Sequence, residues 1–324
     1  AEFQVHGSPP VRANLLAAIT ALPGIRIAEP GEFTRRAFEA GKLDLAAVEG
    51  LSDLIDSETE WQRRQALRQM EGALGARVED WRAQLIATMA LLEAEIDFSD
   101  EGDVGGAVVA DALALIGRVV GELRAVLGSF DMGERVREGF VVVLAGPPNA
   151  GKSSLLNALA RRDVAIVAAT PGTTRDAIEV KLDLAGLPVT LIDTAGVRES
   201  TDPVESEGVR RSLALIARAD LVLTLRAIDS EPNSFPVDGT AAIALATKAD
   251  LAGAVHPCEL AISAKTGEGV EALCETIAAR LGSEVSSEPA LLTRERHRQA
   301  VGQAIAALDR ALSADQAQVE LLAE

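Results

Sequence analysis

Gly146-Pro147-Pro148-Asn149-Ala150-Gly151-Lys152-Ser153 has the spacing G-x-x-x-x-G-K-[ST] of a loop that wraps phosphates. Glycine lets the backbone turn tightly, so successive amide N–H groups face an anion at the start of a helix. Asn149, Ala150, Gly151, Lys152, Ser153 and Ser154 are the expected phosphate contacts. Lys152 should reach the β- and γ-phosphates, and Ser153 should ligate Mg²⁺. The apolar run Phe140–Ala145 precedes the loop and a helical stretch, Ser154–Ala160, follows it, which is the context the motif requires.

A second phosphate element, Asp193-Thr194-Ala195-Gly196, ends the apolar run Val189–Ile192. A carboxylate there can hold Mg²⁺ through water, and the Gly196 amide can meet a γ-phosphate. Two further strand ends speak to the base. Thr247-Lys248-Ala249-Asp250 follows Ala242–Ala246, and Ile262-Ser263-Ala264-Lys265 follows another apolar segment. Asp250 can accept from both N1–H and the exocyclic amine of guanine, whereas adenine would leave it unpaired. The Lys248 stem can cover the base plane, and Ser263 with the Ala264 backbone can support it from the other side. GTP and GDP are therefore the expected ligands. Thr247 stands where asparagine is usual; its hydroxyl can still make a bond but lacks the amide's reach, so weaker nucleotide affinity is expected.

These motifs need a sheet to present them. Phe140–Ala145 is apolar throughout, as a parallel strand buried on both faces is. Leu221–Leu225 and Ala242–Ala246 read the same way. Val180, Leu182 and Leu184 alternate before the turn Ala185-Gly186-Leu187-Pro188, so an antiparallel hairpin should close one edge. The expected fold is a doubly wound α/β P-loop domain over 137–284, inserted into an all-α domain formed by 31–136 and 285–324. Leu43, Leu45, Val48, Leu51, Leu54 and Ile55, and later Leu85, Met89, Leu92 and Ile96, recur at helical steps. Residues 1–30 are broken by Gly and Pro and read as the tail of a further α/β unit.

Composition narrows the class. The net charge of −18 over 324 residues argues against a broad nucleic-acid face. The clusters Arg63, Arg64, Arg68 and Arg294, Arg296, Arg298 read as solvated helix charge before RNA contacts. Cys258 and Cys274 lack metal-ligand spacing, and Cys274 reads as a buried helix residue. With no apolar run long enough to span a membrane and no signal peptide, a reducing cytoplasmic location is expected. Both ends look cut.

The phosphate loop and its continuation Ser154-Leu155-Leu156-Asn157-Ala158-Leu159, with Pro171-Gly172-Thr173-Thr174-Arg175-Asp176, resemble the MnmE (TrmE) tRNA-modification GTPases. So do Pro30-Gly31-Glu32-Phe33-Thr34-Arg35-Arg36-Ala37-Phe38 and Lys42-Leu43-Asp44-Leu45-Ala46, outside any general GTPase motif. The resemblance implies that Asn149 ligates a K⁺ ion beside the phosphates, with backbone carbonyls of a loop around Ala168, Thr170 and Gly172 closing over it. It implies that Thr173 and Thr174 contact nucleotide, with Thr174 on Mg²⁺ and the γ-phosphate. Val197 cannot orient water as a glutamine would, and Glu205 aligns with the family's catalytic glutamate. Asp202-Pro203-Val204-Glu205 also fits a helix start in which Glu205 is a capping partner.

The same resemblance implies a homodimer, a one-carbon tetrahydrofolate site in a domain of which 1–30 is a remnant, and a flavoprotein partner of the MnmG type holding FAD. It implies potassium-stimulated GTP hydrolysis, by paired G domains, coupled to C5 modification of the wobble uridine of tRNA. The family's short C-terminal Cys tail is not found. Two other readings compete: a ribosome-assembly GTPase acting as a binding switch, and a helical scaffold whose G domain only binds nucleotide.

Overall fold

The computed structural model describes residues 2–97, 105–166, 179–193, 214–229, 241–251, 258–283, 285 and 288–313. Six strands form one sheet: β1 Phe140–Ala145, β2 Glu179–Leu184, β3 Leu187–Asp193, β4 Leu221–Ala227, β5 Ala242–Thr247 and β6 Leu260–Ala261. Their order is β2-β3-β1-β4-β5-β6, parallel except for the β2–β3 pair. This is the mostly parallel sheet with one antiparallel edge expected above. Ala185 and Gly186 turn the hairpin at φ 54° and 87°, the paired positive values of a tight two-residue hairpin turn, while Asp183 Oδ1 accepts from the Gly186 amide at 2.7 Å. Phe140, Val142, Leu144, Leu191, Leu223 and Ile243 are buried on the sheet, with the helix Lys152–Ala160 (α8) and the helix Val270–Gly282 (α9) supplying Leu155, Leu159, Leu273 and Ile277.

The remaining helices are α1 Pro9–Thr20, α2 Glu32–Glu39, α3 Leu45–Asp56, α4 Glu60–Met70, α5 Ala73–Asp97, α6 Gly105–Gly128, α7 Phe130–Glu138 and α10 Glu295–Ser313. A second apolar core joins Leu74 and Trp81 of α5, Ile116, Val119, Val120 and Leu123 of α6, Phe130 of α7, Leu292, and Val301 and Ile305 of α10. Residues from before and after the sheet thus pack together. Helix α1 buries no side chain.

The helical recurrence over 43–55 is met by α3, although not every residue of it is packed. Leu43 lies ahead of the helix, which Asp44 caps by accepting from the Ala47 amide at 2.6 Å; Leu45 and Ile55 are exposed. The packed face is Ala46, Ala47 and Gly50, because α3 lies so close to α4 that a Cβ at Gly50 would strike the Met70 amide and the Gln69 backbone. Small residues, rather than leucines, set that contact. On α5, where Leu85, Met89, Leu92 and Ile96 recur at helical steps, Met89 is exposed and Leu92 is buried.

Candidate functional site

Every strand whose end was expected to carry chemistry delivers it to one edge of the sheet, beyond the C-terminal ends of the parallel strands, where open α/β sheets bind ligands. The loop after β1 turns through Gly146 (φ 152°), Asn149 (φ 63°) and Gly151 (φ 91°) before α8 begins at Lys152. A Cβ at Gly146 would strike the Leu225 carbonyl of β4, so the loop's approach to the neighbouring strand requires glycine there. Positive φ at these three positions bends the loop tightly, a geometry that suits an anion cradle, and the start of α8 supplies further N–H groups.

Lys152 is buried, and its ammonium donates to the carbonyls of Gly146 at 2.7 Å and Pro147 at 3.0 Å, curling over the loop it belongs to. Asp193, at the end of β3, is fully buried and accepts from Ser153 Oγ at 2.6 Å. A loop amide cradle, an ammonium and a hydroxyl–carboxylate pair are the donor set that a Mg²⁺-bound polyphosphate needs. The oxygens fit that hard cation. Asn149 is exposed on the loop, and its side-chain carbonyl is a chemically suitable K⁺ ligand.

The base end is built from β5, β6 and β4. Thr247 is buried, and its hydroxyl donates to the Ala150 carbonyl at 2.6 Å, tying the base loop to the phosphate loop. Asp250 is exposed, and Ser263 Oγ, itself buried, donates to its Oδ1 at 2.7 Å. That hydrogen bond holds the Asp250 carboxyl below its usual range, with Lys265 contributing charge. Lys248 adopts φ 60°, and its ammonium meets both oxygens of Asp229 at 3.1 Å. Asp229 went unnoticed in the sequence: it follows Leu221–Ile228, a strand run that Thr224 and the charged Arg226 interrupt. Ala264 and Lys265 follow Ser263 on the turn that leads to α9.

Ala168, Thr170, Thr173, Thr174, Arg175, Gly196, Val197, Arg198 and Glu205 lie outside the described residues. The two arginine clusters are engaged with acids. Arg63 and Arg64 both hold Glu60, drawing its carboxyl down to about 2, and Arg68 meets Glu288. Arg294 binds Asp53, Arg296 binds Glu49, and Arg298 binds Glu295. Each of these six arginines is thus paired with a carboxylate. A cavity of about 1170 Å³ opens away from the phosphate loop, between α4, α5, α7 and Pro289–Leu291. Its Arg77 is held by Asp80 and Glu122, so it offers no unopposed charge. Cys274 is half-buried on α9, and burial pushes its thiol up. Among the described residues no helix is long and apolar enough to cross a membrane.

Comparison with known proteins places the chain in a family. A family model described as the MnmE helical domain matches residues 45–324, and one described as the GTP-binding protein TrmE N-terminus matches residues 1–42. The chain is 53% identical over 330 residues to the tRNA modification GTPase MnmE of Methylobacterium sp. (strain 4-46), covering 100% of this chain and 75% of that protein. It is 51% identical over 324 residues to the protein of the same name from Azorhizobium caulinodans, covering 100% and 74%. Among solved structures it is similar to Aquifex aeolicus Era bound to GDP and aluminium fluoride, at 25% identity over 46% of this chain and 58% of that one, with a TM-score of 0.35.

Proposed function

Because the chain belongs to the MnmE family of tRNA modification GTPases, we propose that it binds GTP at the edge of the sheet and hydrolyses it as part of a tRNA-modifying system. The observation that carries this reading is the convergence of Lys152, Ser153 and Asp193 at one end of the site with Thr247, Asp250 and Ser263 at the other, linked through the Thr247–Ala150 hydrogen bond.

In this reading, Lys152 leaves its own loop's carbonyls for the β- and γ-phosphate oxygens, and the loop amides take the remaining charge. Ser153 and Asp193, with Thr174, hold Mg²⁺, which neutralises charge on the leaving phosphate. Asn149 and the carbonyls of Ala168 and Thr170 hold K⁺, which supplies charge where other GTPases use an arginine. Gly196 and Thr173 contact the nucleotide, and Glu205 orients the attacking water. Asp250 reads the guanine edge, with Ser263 fixing its carboxylate and Lys248, Ala264 and Lys265 lining the base.

The finer assignments follow the family. The domains are 1–30, a remnant of a folate-binding unit; 31–136 and 285–324, the helical domain; and 137–284, the inserted G domain. The shared core of α5, α6 and α10 supports the insertion. The active species is a homodimer that pairs its G domains, works in the cytoplasm with an FAD-containing partner of the MnmG type, and acts at C5 of the wobble uridine. The test is GTP turnover in KCl and in NaCl at matched ionic strength. A rise confined to K⁺ and lost in Asn149→Ala supports the assignment; turnover indifferent to the cation overturns the K⁺ site. Glu205→Ala should bind GTP normally and lose most turnover.

A further inference from the structure

Strand β3 has a phosphate-site residue at one end and a contact with the helical part at the other. At its C-terminal end Asp193 accepts from Ser153 at 2.6 Å. At the hairpin tip, the Gly186 carbonyl accepts from the Trp61 backbone amide at 3.2 Å, and Lys181 of β2 pairs with Glu58 at 2.8 Å. A Cβ at Gly186 would stand 3.2 Å from Trp61 Cδ1, so the tip's backbone lies directly on the indole. The seven residues of β3 span roughly 20 Å between these ends.

Helix α4 is itself firmly held. The glutamines Gln62, Gln65 and Gln69 lie along one face. Gln62 Nε2 donates to the Arg137 carbonyl at 3.0 Å, Gln65 Nε2 to the Gly133 carbonyl at 2.8 Å, and Gln69 Oε1 accepts from Thr293 Oγ1 at 2.9 Å. A shift of the hairpin tip would therefore bear on α7 and on Thr293, just ahead of α10.

We propose that the β2–β3 hairpin is the lever by which occupancy of the phosphate site reaches the helical part, with Glu58 and Trp61 as positioning residues at its tip. This rests on the nucleotide reading above and names the path of its regulation. The driving contact is local. With Mg²⁺–nucleotide in place, Asp193, which now accepts from Ser153 at 2.6 Å, would also accept from a water of the ion's shell, a contact the end of β3 lacks without it. A ligand shifts a conformation only through such a differential contact.

Trp61 reports on the joint directly. Intrinsic fluorescence is recorded on the full chain without nucleotide, with Mg²⁺–GDP, and with a Mg²⁺-bound non-hydrolysable GTP analogue; Trp61→Phe identifies the part due to that indole. Calorimetry follows nucleotide binding in parallel. The proposal expects a shift in Trp61 emission on binding, lost in Lys181→Glu and recovered when Glu58→Lys is added. Nucleotide bound by calorimetry with Trp61 emission unmoved overturns the lever and leaves the nucleotide site standing. So does a Lys181→Glu shift equal to that of the parent chain. Absence of any binding overturns both.

Discussion

The hydroxyl of Thr247, at the end of β5, hydrogen-bonds the backbone carbonyl of Ala150 in the phosphate loop at 2.6 Å, so the base and phosphate ends of the site are one unit. Both groups are buried, and removing one leaves the other without its partner. Thr247→Val keeps the shape and deletes the bond. Its cost, about 1–3 kcal/mol, corresponds to roughly tenfold or more in GDP affinity. Isothermal titration of the variant checks this. Thr247→Asn should regain no more than a small further affinity, because the existing hydroxyl already makes the tie.

Asp250 decides which base enters. Its carboxylate can accept from two guanine donors, whereas an amide at the same place presents one acceptor and one donor. Asp250→Asn should therefore lose GDP affinity by two orders of magnitude or so and gain affinity for xanthosine diphosphate, whose C2 oxygen accepts where guanine donates. Ser263 lowers the Asp250 pKa, so the charged form is present above that lowered value and is lost only as pH falls through it. Asp250 should thus stay charged, and base selection for guanine over xanthine should hold, from pH 8 down to pH 5. Ser263→Ala should move the acid limb upward. Competition binding across pH measures both.

Lys152 and Asp193 carry the phosphate end. Lys152→Ala removes the ammonium that now caps the Gly146 and Pro147 carbonyls, and turnover should fall by about 100-fold or more, as loss of a preorganised charge at developing negative charge does. Asp193→Asn should bind GDP with little change in the absence of Mg²⁺ but lose the tightening that Mg²⁺ brings. Steady-state hydrolysis and Mg²⁺ titrations separate the two effects.

The G-domain elements were legible because each leaves a local mark: Phe140–Ala145 is apolar throughout, and Asp193, Thr247 and Ser263 each follow such a run directly. The hairpin was legible from period-two alternation through Val180, Leu182 and Leu184 and from the turn at Ala185-Gly186. The helical part was legible as helices but not as packing. The contact between α3 and α4 depends on Gly50 and two alanines, whose small size carries no hydropathy signal. The pairing of Trp61 with Gly186, or of Glu49 with His297, joins residues far apart in the chain through tertiary geometry, which neither periodicity nor spacing encodes.

Gly50 makes that packing testable. An added methyl meets backbone atoms of Gln69 and Met70, which have no rotamer to yield. Gly50→Ala should destabilise the helical part by about 1–3 kcal/mol despite alanine's better helix propensity. Gly117→Ala, in α6 with open space around it, should be neutral or stabilising. Thermal unfolding of both variants gives the contrast.

His297 should make stability fall on mild acidification. It is buried on α10, and Nε2 lies 3.1 Å from Glu49 of α3, while buried Nδ1 has no hydrogen-bond partner among the described residues. Burial, then the neighbouring Arg296 charge, holds the imidazole below its ordinary value of 6.5, with Glu49 opposing and Arg294 adding to the depression. The folded protein therefore binds this proton less readily than the unfolded chain does. As pH falls below 6.5 the unfolded state gains the proton first, so stability drops until the folded value is passed. Glu49 adds a second loss at lower pH. Burial raises its pKa, but the Arg296 hydrogen bond and the charges of Arg296, His297 and Arg294 lower it further, so its stabilising contribution is present above 4.5 and disappears as pH falls through the folded value. His297→Gln retains an amide donor for Glu49 and cannot titrate. Between pH 7.5 and 5.5 the melting temperature of the parent chain should decline, and that of His297→Gln should decline less; equal slopes would remove His297 as the titrating group.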